Sequence, residues 1–110
     1  MKASTIGFKP DYDEDAPTID DVTHLKGLSV IEFGAPWCPH CQGAQDAIKE
    51  VLEPTSMLHI KVFDGKGKSL GRHFKVKLWP TVILLKDGME VARVVRPTET
   101  HEVQAIMEEA

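Results

Sequence analysis

Both cysteines of this 110-residue chain lie in the run Trp37-Cys38-Pro39-His40-Cys41, with two residues between them. A thiol pair at this spacing can close a small disulfide ring and reopen it by exchange, so its first chemistry is redox. Upstream, Leu28 to Phe33 reads as a strand; downstream, Gln42 to Leu52 is helix-forming. Cys38 therefore falls at a strand-to-helix junction, where the helix macrodipole and free backbone N–H groups favour an anion. The nucleophile in exchange is a thiolate, so a reactive cysteine belongs at such a place. Metal binding is the other use of such a pair. Structural zinc takes four ligands, and with no second Cys or His pair here, Cys38, Cys41 and His40 would need help from another subunit. No metal is expected.

The elements that must position this pair fit in one domain, residues 1–110, long enough for a hydrophobic core. Hydrophobic residues at 42% and charged ones at 27% are those of an ordinary globular protein. A net charge of −4 gives no reason to expect a nucleic-acid partner. No apolar run approaches the ~18 residues of a membrane helix. Met1 to Pro10 lacks the apolar stretch of a secretory signal, so a cytoplasmic location is expected, or a periplasmic one if a leader has been removed. Two cysteines cannot form a stapling framework.

Residues 1–17 are expected to form a partly extended, acidic N-terminal segment, and Asp11 to Asp21 carry six acidic side chains. Thr18 reads as the N-cap of a short helix with Ile19, Val22 and Leu25 on one face, ended by Gly27. In the helix after the cysteines, Ala44, Ala47, Ile48, Val51 and Leu52 recur at helical spacing before Pro54. Met57 to Phe63 reads as a second central strand, broken by Gly65 and Gly67, and Ser69 to Phe74 as a short helix. Thr81 to Leu85 is a nearly all-apolar strand, as a sheet buried on both faces requires. Asp87-Gly88 signals a tight hairpin returning through Met89 to Val95, and Pro97 and Thr98 open a last helix with Val103, Ile106 and Met107 inward. The order is β-α-β-α-β-β-α, with Thr5 to Phe8 a candidate extra strand. It predicts an α/β fold, a central mixed β-sheet flanked by helices on both faces.

This order, with Trp-Cys-x-x-Cys after the first central strand, resembles the thioredoxin superfamily over nearly the whole chain. Trp79-Pro80-Thr81, just before the next strand, is similar to the cis-proline loop of that family, which lies against the disulfide and pairs with extended substrate backbone. The resemblance implies a thioredoxin fold and a thiol–disulfide oxidoreductase acting through a mixed disulfide. It needs no cofactor beyond the Cys38–Cys41 couple. Its partners would be protein disulfide or dithiol substrates and an upstream electron donor or acceptor, and the protein would be a monomer. Cys38 becomes the exposed attacking thiol and Cys41 the more buried resolving one. Glu32 takes the position of the buried acid that moves protons to and from Cys41, with a pKa raised by burial. Lys61 is a candidate ionic neighbour. Trp37, Pro39, Trp79, Pro80 and Arg96 would contact substrate.

His40 tunes the couple. An imidazolium beside Cys38 stabilises the thiolate and so makes the disulfide a stronger oxidant. Pro-His between the cysteines is the pair of strongly oxidising periplasmic oxidases, at about −120 mV against about −270 mV for thioredoxin, and a value of about −200 mV is expected here. The other histidines (His24, His59, His73, His101) read as surface or helix-packing residues. Three positions depart from the family: Trp79 where a smaller branched residue is usual, Arg96 near a frequent glycine, and Asp46 where many members have proline. The first two narrow or recharge the groove. Two other readings keep the fold: a redox-dependent partner-binding module, and a glutathione-dependent, glutaredoxin-like reductase. Glutaredoxins usually place the thiols near the start of the chain, whereas 37 residues precede Cys38 here.

Overall fold

The computed structural model describes residues 1–65 and 68–110. Among the described residues nine elements follow one another: β1 (Ser4–Ile6), α1 (Ile19–Thr23), β2 (Leu28–Gly34), α2 (Pro39–Leu52), β3 (Leu58–Phe63), α3 (Ser69–His73), β4 (Thr81–Lys86), β5 (Met89–Val95) and α4 (Thr100–Met107). Gly67, read above as a strand breaker, lies outside the described residues. The five strands form one mixed sheet in the order β1-β3-β2-β4-β5. β2 runs parallel to β3 and antiparallel to β4, while β1 and β5 close the edges with antiparallel pairing.

Strand alternation sorts the side chains onto two cores. Ile31 and Phe33 of β2, Ile60 and Val62 of β3, and Ile83 and Leu85 of β4 pack with Val22 of α1 and Leu70 of α3. Val30, Val82 and Leu84 face the other way, onto Ala44, Ile48, Val51 and Leu52 of α2 and Val103 and Ile106 of α4. The same alternation puts Glu32 on the α2 side, two residues from Val30. The parallel register Val30↔His59 and Glu32↔Lys61 brings His59 and Lys61 onto that side too. Three ionisable residues are thus folded into the interior between the sheet and α2.

Local chemistry sets the boundaries. Thr18 caps α1, as read from the sequence, and the structure adds a full capping box with Asp21. Asp87 and Gly88 both take positive φ, 50° and 78°, the backbone of a type I′ hairpin. A side chain at residue 88 would meet the Thr23 carbonyl at 2.5 Å, so only glycine fits there. Two helix starts differ from expectation. α2 begins at Pro39, because Cys38 serves as N-cap and proline suits the first helical position. α4 begins at Thr100: Glu99 caps it, and Glu102 reaches back to the N–H groups of Thr98 and Glu99. The extra strand is Ser4–Ile6 rather than Thr5 to Phe8, because Gly7 at φ 89° turns the chain out of the sheet.

Candidate active site

Cys38 ends the loop after β2 and caps α2. Its Sγ accepts the Cys41 N–H at 3.3 Å, and its carbonyl accepts that of Gln42 at 3.0 Å. Both thiols are free. Cys38 retains 6% of its surface and Cys41 none, so the attacking thiol expected to be exposed is largely covered. Ala35, Tyr12, Phe63 and Trp79 pack around the pair. Burial, above all, pushes the Cys41 thiol up to about 12, with its hydrogen bond to Cys38 acting in the same direction. The remaining opening of Cys38 faces a groove of about 400 Å³ that Trp37, Pro39, His40, Trp79 and Arg96 also line.

One wall of that groove is the loop before β4. The Trp79–Pro80 peptide is cis, and Pro80 itself is buried. Trp79 is half-buried. Its indole N–H donates to Asp64 Oδ2 at 2.9 Å, and its ring meets Trp37 edge-on with centroids 5.6 Å apart. Trp79 thus packs against the cysteines and borders the groove at once, while Trp37 stands 64% exposed at the rim. Arg96 donates through Nε to the Trp79 carbonyl at 2.9 Å and holds φ at 54°. That is the left-handed region where a side chain costs energy, which accounts for glycine being frequent there in the family it resembles. His40 is exposed in the first turn of α2, and Asp46 is exposed farther along it.

Behind the cysteines lies a cluster that sequence patterns revealed only in part. Glu32, His59 and Lys61 side chains are wholly buried. Lys9 donates its backbone N–H to His59 Nδ1 at 2.9 Å, so Nε2 carries the hydrogen that His59 gives to Glu32 Oε1 at 3.0 Å. Glu32 Oε2 accepts from Gln45 Nε2 at 3.0 Å and from the Tyr12 hydroxyl. Lys61 Nζ stands 4.0 Å from Glu32 Oε2 and donates to the carbonyls of Lys9 (3.0 Å) and Pro10 (2.7 Å) and to Gln45 Oε1. Its ammonium also sits 4.8 Å from the ring centres of both Phe8 and Tyr12. Burial lowers its pKa, with Glu32 opposing.

Two expectations are corrected here. Burial alone would raise the Glu32 carboxyl, but the His59 hydrogen bond, the Lys61 charge and the Tyr12 bond outweigh it and hold the group below the usual carboxylate range. The direction is thus toward the ionised carboxylate, not a stored acid. His59 is no surface or helix-packing residue: the β3 register buries it beside Glu32. Lys61 is the ionic neighbour, and Tyr12 and Gln45 complete the set. Gln45 left a signal, a polar residue one turn after Cys41 on the buried face of α2. Tyr12 left none. Among the described residues, no group of three or more His, Cys, Asp or Glu side chains is placed to hold a metal ion.

Known proteins are similar to this chain in sequence and fold. The thioredoxin family model matches residues 14–109. The structure of thioredoxin 2 from Pseudomonas aeruginosa in its reduced form superposes with a TM-score of 0.80 at 46% identity, covering 92% of this chain and 94% of that one. Thioredoxin H5 of Arabidopsis thaliana is 31% identical over 78 residues, 70% of this chain and 66% of the relative. A thioredoxin domain-containing protein 5 homolog of Drosophila melanogaster is 30% identical over 71 residues, 61% of this chain. The chain spans just under two thirds of the Arabidopsis relative and only 17% of the Drosophila one. With a family match running from the acidic segment to α4, the chain belongs to the thioredoxin family.

Proposed function

We propose that the chain is a protein thiol–disulfide oxidoreductase. The Cys38 thiolate attacks one sulfur of a substrate disulfide, forming a Cys38–substrate disulfide and expelling the other substrate sulfur as thiolate. Cys41 then gives up its proton and attacks Cys38 Sγ. The Cys38–Cys41 disulfide forms, and the second substrate thiolate leaves. Run in reverse, the same steps oxidise a substrate dithiol. An upstream dithiol or disulfide partner returns the couple to its starting state.

The observation that carries this reading is the asymmetry of the pair. Cys38 opens on a groove and sits at a helix N-terminus, whereas Cys41 is closed off and backed by an ionised carboxylate. Attack requires access, and resolution requires a place for a proton. The groove, walled by Trp37, Trp79 and Arg96, would receive extended protein segments and limit the side chains beside the disulfide.

Cys38→Ser is expected to abolish reduction of insulin disulfides, and Cys41→Ser to accumulate mixed disulfides, read by mass spectrometry. Turnover of Cys41→Ser at the native rate overturns the two-thiol mechanism. Recycling of the disulfide by reduced glutathione alone identifies a glutaredoxin-like reductase instead.

A further inference from the structure

Tyr12 belongs to the acidic N-terminal segment, far in sequence from either cysteine, yet it reaches the back of the pair. Asp13 forms a parallel bridge with Val62, its N–H donating to the Lys61 carbonyl at 3.1 Å and its own carbonyl accepting from Phe63 at 2.9 Å. Lys61 clamps the carbonyls of Lys9 and Pro10 on the other side of Tyr12. Held from both sides, the phenol lies over Gly34, where a side chain would meet the Tyr12 hydroxyl at 2.6 Å and Cys41 Sγ at 2.7 Å. The absent side chain of Gly34 is what lets these two atoms share one small space.

We propose that Tyr12 is the proton relay of the resolving step, passing the Cys41 proton to Glu32 through its own hydroxyl. The inference rests on the oxidoreductase reading above and assigns a residue to its second half. The hydroxyl donates to Glu32 Oε2 and, over Gly34, packs in the same small space as the Cys41 sulfur. As the Cys41 S–H proton moves to the Tyr12 oxygen, the phenolic proton moves to Glu32 Oε2. Tyrosine ends neutral, Glu32 ends as a carboxylic acid, and Cys41 ends as the thiolate that attacks Cys38. No tyrosinate forms, in keeping with burial and the Glu32 charge driving the Tyr12 pKa far up. Gln45 positions the acceptor, donating through Nε2 to Glu32 and to the Cys41 carbonyl. A cleft of about 200 Å³ lies against Tyr12, Cys41 and Gln45, with Cys41 itself keeping no exposed surface.

Dithiobis(nitrobenzoate) separates the two steps, since each thiol releases one coloured thiolate: the first by Cys38 attack, the second by Cys41 resolution. Tyr12→Phe keeps the ring over Lys61 and removes only the hydroxyl. It is expected to leave the first release within about twofold and to slow the second by about 100-fold, the low end for a positioned acid–base group. Glu32→Gln slows the second release similarly, and Tyr12→Phe with Glu32→Gln is no slower than either alone, because one relay is broken once. An unchanged second release in Tyr12→Phe, or equal slowing of both releases, overturns the proposal. Absence of any second release from the native protein overturns the two-thiol reading itself.

Discussion

Lys61→Met tests the energetics behind the cysteines, because it keeps the length of the side chain and removes its charge. The ammonium is wholly buried and donates to two backbone carbonyls, Lys9 and Pro10, as well as to Gln45. Each carbonyl left without a donor costs about 1–3 kcal/mol. Breaking a buried ion pair from one side costs about 3–5 kcal/mol, a sum that overlaps with the first because the same desolvation is counted in both. The expected loss is about 4 kcal/mol, after some return from the buried thioether. In a domain of this size about 1 kcal/mol moves Tm by about 4 °C, so Tm falls by about 15 °C. The pH dependence carries a second signature. In the native protein Glu32 is held below its ordinary value, so its stabilisation is present above the carboxylate range and is lost as pH falls through the folded value. Without Lys61, one of the groups that oppose burial is gone and the Glu32 carboxyl moves up from its native value, so the defect must grow as pH rises from about 4 to about 8. Urea titrations of both proteins at the two pH values measure this. A loss below about 1 kcal/mol, the range of an exposed pair, refutes the reasoning, and so does a defect of equal size at both.

Gly34→Ala pushes Tyr12 and Cys41 apart; it should cost about 1–3 kcal/mol by overpacking and slow the second nitrobenzoate release more than the first. Equal release rates in this variant would show that the contact over Gly34 is passive. Because Cys41 is raised to about 12, its stabilisation is complete below the ordinary thiol range and is lost as pH rises toward that value. Reduced native protein should therefore lose stability in alkali more steeply than Cys41→Ser, and parallel slopes in denaturant titrations would contradict this. His40→Gly removes the imidazole from the groove beside Cys38 and is expected to lower the reduction potential by about 30 mV, a tenfold change in the exchange equilibrium with glutathione; an unshifted equilibrium ends the electrostatic role given to His40. Trp79→Ile should broaden activity toward insulin disulfides with little change in potential, and unchanged selectivity in a destabilised variant would assign Trp79 to packing alone.

The strand-to-helix placement of the thiols, the buried β4 strand and the Asp87-Gly88 hairpin were legible because each depends on a few neighbouring residues. So was the Trp79-Pro80-Thr81 loop, by family likeness. Glu32 was legible by its distance from Cys38, but its charge state was not, since that follows from a parallel register pairing it with Lys61 and from His59. Alternation in Leu58 to Phe63 does set His59 and Lys61 on one face; read alone, a polar face on a strand means solvent, and only the covering by α2 and residues 8–12 reverses it. Tyr12 sits in a loop with no periodicity, 20 residues from Glu32, and nothing local marks it. The start of α2 was misjudged for a nearer reason: the cysteine loop hid the proline that opens the helix.

The bridge between Asp13 and Val62 has a consequence for the chain as it is made. Residues 9–13 are synthesised before the strand they lean on, which is completed only with Phe63. Until His59, Lys61 and Val62 are in place, Tyr12 has nothing to rest against and the carboxylate of Glu32 has no counter-charge. The hydrogen-bonded cluster behind Cys41 is therefore complete only once residues 9–13 have docked onto β3.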